Sequence, residues 1–240
     1  MTPSRFGGLS SSPGDAGGVA VGLRRTRVWD LPTRLFHWAL AAAVVGLVVT
    51  GTVGAMEWHF RLGYVAMALL AFRLAWGFVG GRWSRFSAFL YAPRSVLAYL
   101  RGRAHPDHLI GHNPLGALSV FALLGILLLQ VATGLVSDDE IAASGPLTRF
   151  VSNATVRLAS SWHAVPGKWA VIVLVSLHLL TVLFYVAFKR RSMVRPMLSG
   201  DKLAAVGVKS SVDSVATRLT ALAVFMVCMG AAWWVSTLRT

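Results

Sequence analysis

Of the seven histidines in this 240-residue chain, four fall in long apolar stretches. His37 lies near the start of PTRLFHWALAAAVVGLVV, and His59 opens EWHFRLGYVAMALLAFRLAWGFVG. His163 and His178 share SSWHAVPGKWAVIVLVSLHLLTVLFYVAFKRR. An ionisable side chain inside hydrocarbon is costly, so each is a functional candidate by default. On an α-helix the fifteen-residue offset from His163 to His178 gives about 22 Å of rise and about 60° of net rotation. Both imidazoles then lie on one broad face, near opposite leaflets. The other two match them in depth: His59 with His163, and His37 with His178. Imidazole nitrogen is a usual axial ligand of haem iron, and two imidazoles on facing helices can clamp one iron from both sides. With both axial positions filled, no site is open to substrate and the chemistry is electron transfer. Along the same faces lie Ala41, Val44 and Val48 beyond His37, and Gly167, Ala170 and Leu174 beyond His163. These are small or apolar and leave room for a flat macrocycle.

Two other uses of such histidines stand beside this one. A lone histidine in an apolar helix is most simply a hydrogen-bonded core residue. Titrating histidines without haem would instead serve a proton-conducting or transporter subunit. That use favours Asp or Glu inside the spans, and residues 34–54, 60–80, 114–136, 162–188 and 217–237 contain none. A di-iron or zinc bundle needs carboxylates beside the histidines as well. The single cysteine, Cys228, excludes an internal disulfide, covalent haem through Cys-x-x-Cys-His, a cysteine-held iron–sulfur cluster and a Cys-rich zinc site. Cys228 reads as a small buried hydrophobe.

Arg73 follows His59 by fourteen residues, about 21 Å deeper and within about 40° of the same face. It is placed to grip a haem propionate beside His37 and His178; the plainer reading is snorkelling to the interface. In GHNPLGAL, His112 and Asn113 are placed to bond a propionate or a quinone carbonyl. Helix capping by Asn113 before Pro114 accounts for those two residues but not for His112. His112 is also the reserve ligand should His37 lie too shallow. His105 and His108 read as solvated loop residues, and Gln130 as an interhelical hydrogen bond. Asp138, Asp139 and Glu140 read as a solvated loop or as a docking patch for a basic c-type cytochrome. Pro166 fits the first turn of a helix that starts near Ser161 and would kink a longer one. Trp162, Trp169, Trp233 and Trp234 read as interface anchors.

The elements that must position these residues are membrane spans. Hydrophobic residues make up 55% of the chain and charged ones 13%, about half the share expected of a soluble domain. Five stretches reach the roughly 20 residues needed to cross about 30 Å of hydrocarbon. They fall at about 34–54, 60–80, 114–136, 162–188 and 217–237. Residues 1–27 contain a Gly/Ser/Pro-rich stretch and are expected to be disordered. The first apolar run starts too late and is too long for a cleaved signal, so it is expected to be retained. Lys and Arg concentrate in 1–34, 81–112 and 189–218, while the alternate loops carry Glu57 and the acidic triplet. The positive-inside rule puts the N-terminus in the cytoplasm and the C-terminus outside. The same distribution explains the +14 charge without a nucleic-acid partner.

The chain resembles the bacterial cytochrome b561 family, which includes the b-type subunits of nickel–iron hydrogenases. The resemblance rests on WDLPTRLFHW (29–38), FRLAWGFVG (72–80), GHNPLGAL (111–118), the paired-histidine span and RPMLSGDK (195–202). It implies an all-α integral membrane bundle: a four-span haem-binding core over 28–202, with a fifth helix in 203–240. It also implies two non-covalent b-type haems held by His37, His59, His163 and His178. Such cytochromes sit in the bacterial plasma membrane. They pass electrons between the quinone pool and a periplasmic or membrane partner; partners in the family include hydrogenases, dehydrogenases and small c-type cytochromes.

Overall fold

The protein is described by a computed structural model covering residues 22–103, 110–141 and 143–239. Helix α1 (Leu31–Val53) begins where the Asp30 carboxylate accepts from the Thr33 amide at 2.8 Å, with Pro32 in the first turn. It stops at Gly54, whose left-handed φ of +74° reverses the chain into helix α2 (Met56–Val79). A short helix α3 (Pro93–Leu100) precedes α4 (Pro114–Leu135), where the Asn113 carbonyl oxygen accepts from the Gly116 amide at 2.7 Å. Asn113 and Pro114 therefore form the capping pair. Helix α5 (Asn153–Trp162), capped by Ser152, runs through a π turn at His163–Gly167 into α6 (Lys168–Ala187). After α7 (Val194–Ser199), helix α8 (Val215–Ser236) closes the described chain.

Among the described residues five helices are long and apolar enough to cross a membrane, in the expected order. The architecture is the expected all-α one, with two departures. The first is a two-stranded sheet: β1 (Leu23–Arg27) pairs antiparallel with β2 (Asp201–Ala205), Arg27 opposite Asp201. The end of the segment expected to be disordered is thus a strand; residues 1–21 lie outside the described residues, as do His105 and His108. Leu-Arg-Arg-Thr-Arg is too short and too charged to separate from a loop, and pairing across 174 residues supplies what the local sequence lacks. The second departure is the fourth span, which starts at Asn153 rather than near 162 and reaches 35 residues. At about 1.5 Å per residue it is roughly 52 Å long. It therefore extends past the hydrocarbon, and Pro166 lies inside it. The π turn, not a kinked α-helix, accommodates that proline.

Helix α2 is the centre of the packing, in contact with α1, α4 and α8, while α4 carries α5 and α6. Phe36, Leu69, Leu70, Phe72, Trp76 and Leu124 form its core. The fifth apolar helix lies along α2: Ala221 is buried, and Phe225 meets Phe72 edge-on at 5.9 Å. Ala66, Ala68, Ala221 and Ala232 are all buried, as expected where small residues let helices approach.

The Lys/Arg-rich end is tied together by hydrogen bonds among the quoted segments. Asp30, fully buried, accepts from Thr33 N, Trp76 Nε1, Gly81 N and Ser84 Oγ, joining the start of α1 to the end of α2. The Val28 and Trp29 amides donate to the Gly200 carbonyl at 2.9 and 3.0 Å. Trp38 Nε1 donates to Met197 O, and Arg34 to Leu198 O. Arg27 bridges Asp201 and Asp213, each at 2.6 Å. This end is called the basic end below, and the opposite one the far end.

Candidate functional site

At the far end, the first turn of α2 and the π turn bring His59 and His163 opposite one another. Their ring centroids are 6.0 Å apart and their planes cross at 85°. Two nitrogens each about 2 Å from a shared metal ion put ring centroids roughly 6 Å apart, so the spacing suits one ion held from both sides. Each ring is anchored through Nδ1. His59 Nδ1 lies 3.1 Å from the Leu47 carbonyl and 3.3 Å from Thr50 Oγ1. His163 Nδ1 lies 2.9 Å from the Gln130 carbonyl and 3.5 Å from Thr133 Oγ1. A carbonyl only accepts, so Nδ1 carries the proton in both rings and Nε2 keeps its lone pair for a metal.

Glycines make room for both rings. A Cβ on Gly51 would stand 3.1 Å from His59 Cε1, and one on Gly134 would stand 2.8 Å from His163 Cε1. Around the pair lies a cavity of about 330 Å³, walled by Val44, Val48, Leu127, Val131, Ala164 and Val171. Tyr64, Asp138, Asp139 and Lys168 supply polar groups to its lining. This apolar slot with two opposed imidazoles fits a porphyrin. Among the described residues no three His, Cys, Asp or Glu side chains converge as a metal site. Paired imidazoles need a group that brings its own equatorial ligands.

The expected lining needs one correction. Val44 and Val48 line the cavity, but Ala164, Lys168 and Val171 do so in place of Gly167, Ala170 and Leu174. The π turn absorbs one residue, which shifts the face of the helix by one position. Fifteen residues then turn like fourteen, so His163 and His178 are related much as His59 and Arg73 are. Gly167 is buried against Gln130 instead, with its missing Cβ position 2.0 Å from Gln130 Oε1. The Gln130 amide donates to the His163 carbonyl at 2.8 Å, the expected interhelical bond. Trp162 also departs from its expected place as an anchor: its Nε1 is buried beside Gly167, whereas Trp169, Trp233 and Trp234 are exposed. Asp138 is stitched into its loop by Ser144 Oγ at 2.7 Å, with its own amide donating to Ser160 Oγ.

At the basic end, His37 and His178 interact electrostatically with each other, and His112 interacts with both. Arg73 belongs to the same cluster. Arg73 does not snorkel: it is 4% exposed and lies over the Phe86 ring at 4.7 Å. Its Nη1 and the Nδ1 atoms of His37 and His112 are buried without a hydrogen-bond partner in the chain. Buried polar atoms without partners cost stability, and three in neighbouring residues suit a polar, acceptor-bearing group. A haem carboxylate matches Arg73. His112 is wedged between Trp29 and Phe89, at centroid distances of 4.7 and 4.5 Å. Burial first, then the charges of Arg73 and Lys202, holds it far below the ordinary imidazole range, so the ring is neutral.

Two sets of residues near these sites were not singled out from sequence. Asp30 was read only as part of a motif, although its position before a Pro-started helix signals a cap. The Thr-Gly pairs 50–51 and 133–134 were hidden because neither residue ionises; their signal is a repeat, Leu47-Val-Val-Thr-Gly and Gln130-Val-Ala-Thr-Gly.

Comparison with known proteins agrees with this arrangement. The profile of the family described as prokaryotic cytochrome b561 matches residues 28–200. A probable Ni/Fe-hydrogenase B-type cytochrome subunit of Rhodobacter capsulatus is 30% identical over 220 residues, covering 75% of this chain and 82% of the relative. A protein of the same description from Cupriavidus necator is 28% identical, covering 78% and 91%. One from Bradyrhizobium diazoefficiens is 26% identical, covering 81% and 93%. With five membrane-length helices, imidazoles opposed across an apolar slot and a profile match over most of its length, the chain belongs to the prokaryotic cytochrome b561 family: it is a multi-pass membrane b-type cytochrome that carries electrons on haem.

Proposed function

We propose that the chain holds two b-type haems and relays electrons between a membrane quinone and a redox partner at the far end, with the basic end in the cytoplasm. The observation that carries this reading is the 6.0 Å approach of His59 and His163 across an apolar cavity, with His37, His178, Arg73 and His112 clustered at the other end. His59 and His163 hold the far-end haem; His37 and His178 hold the basic-end one. Haem bound there would supply a one-electron iron couple. The chain's residues do the rest. The Leu47 and Gln130 carbonyls fix the ligand tautomer, and Arg73 meets a propionate. The neutral His112 offers a ring hydrogen bond to a propionate or to a quinone carbonyl, and the apolar walls exclude water. The relatives named as hydrogenase subunits favour a Ni/Fe hydrogenase as the partner, with a c-type cytochrome or a dehydrogenase as the other classes.

Anaerobic mixing of the haem-loaded protein in nanodiscs with a reduced quinone analogue tests the relay. The haem bands are expected to reduce on mixing. Bands that stay oxidised with quinol and respond only to dithionite would contradict the quinone role. Arg73→Leu tests the basic end: it is expected to lower the midpoint potential of one haem and leave the other in place, because a buried cation favours the reduced form. A variant with both haems and both potentials unchanged would remove the propionate assignment.

A further inference from the structure

The far-end site is built as a near two-fold repeat. On α1, Leu47-Val48-Val49-Thr50-Gly51 cradles His59; on α4, Gln130-Val131-Ala132-Thr133-Gly134 cradles His163. In each cradle the first residue's carbonyl accepts the imidazole Nδ1–H, and the glycine clears space for the ring. The repeat is broken in two places. Position 47 is leucine where position 130 is glutamine, and His59 sits in regular α-helix where His163 starts a π turn.

The two breaks meet. In an α-helix each carbonyl accepts from the amide four residues on, but the π turn and Pro166, which has no N–H, disturb that ladder around His163. Gln130 Nε2 donates to the His163 carbonyl at 2.8 Å, at the first residue of the π turn. The regular ladder of α2 has no need of such a donor, and its cradle has a leucine. Gln130 thus grips the ligand twice, by its main chain on the ring and by its side chain on the backbone.

We propose that Gln130 is the positioning residue of the far-end haem ligand: its side-chain amide holds the carbonyl that opens the π turn and so sets the backbone from which His163 presents Nε2. The inference rests on His163 being a haem ligand. It goes beyond an interhelical bond that merely joins α4 to α5, because it ties the side chain to one haem and not to the other.

Gln130→Leu places in α4 the residue that the α1 cradle already has, and it keeps the main-chain carbonyl. In the haem-loaded protein in nanodiscs, we expect the far-end haem to bind about 10–100-fold more weakly, the range for losing an outer-shell partner, measured by transfer to an apo-globin acceptor. Its ferric low-spin resonance should shift or broaden while that of the basic-end haem stays as in the wild type. Gln130→Glu, which can no longer donate, should act in the same direction. Far-end signal and release rate unchanged in Gln130→Leu would overturn the proposal. So would equal loosening of both haems with a lower melting temperature, because that marks a general packing role. Failure of the parent reading looks different: His163→Ala would then retain both haem signals.

Discussion

His163→Ala, purified in detergent, is expected to carry one haem fewer per chain than the wild type and to keep the basic-end haem spectroscopically intact. The basis is the division of the site. His163 faces His59 at 6.0 Å within a cavity at the far end, whereas His37, His178, Arg73 and His112 group at the other. With one imidazole removed, the remaining ring alone would hold the far-end haem, so the haem would bind more weakly and its spectrum would change. His59→Ala should give the same product, because the two rings serve one centre. Haem per chain, measured with the Soret and α bands, checks both. Loss of both haems from either variant would mean that the centres do not form separately.

The second large effect is structural. Asp30→Asn is expected to destabilise the protein by roughly 2–4 kcal/mol. The carboxylate is fully buried and accepts four hydrogen bonds, from Thr33 N, Trp76 Nε1, Gly81 N and Ser84 Oγ. A side-chain amide keeps the helix cap but turns an NH₂ group toward the Gly81 and Ser84 donors, so buried donors face one another. Asp30 joins α1 to the end of α2 near Arg73, so the basic-end site should suffer first. Thermal unfolding in detergent, followed by haem absorbance at each centre, reads the size and the order. An unchanged melting temperature would show that water or lipid headgroups replace the carboxylate.

Most of the fold was legible in the sequence because a bilayer leaves a long apolar run few alternatives to a helix. The cap at Asn113 before Pro114 marks the start of its helix. What escaped came from contacts distant in sequence or from local breaks in periodicity. The strand at Leu23–Arg27 exists because residues 201–205 lie beside it, which no window on the N-terminal segment can show. Periodicity put Gly167, Ala170 and Leu174 on the lining face, whereas Ala164, Lys168 and Val171 occupy it. A π turn at a proline is a one-residue phase slip that a uniform 100° per residue cannot anticipate. Ionisable residues inside spans drew notice because their burial is costly. Thr50 and Thr133 do not stand out from sequence, and Gln130 reads there only as an interhelical bond, because their contacts to the two imidazoles lie in hydrogen bonds that only the packed helices reveal.

A reduced-minus-oxidised visible spectrum of the purified chain, combined with a pyridine haemochrome assay, probes the central claim with least intervention. Low-spin b-type bands and two haems for each polypeptide are the predicted result. A colourless preparation from cells that supply haem to other cytochromes would contradict it and leave the buried histidines to carry protons instead.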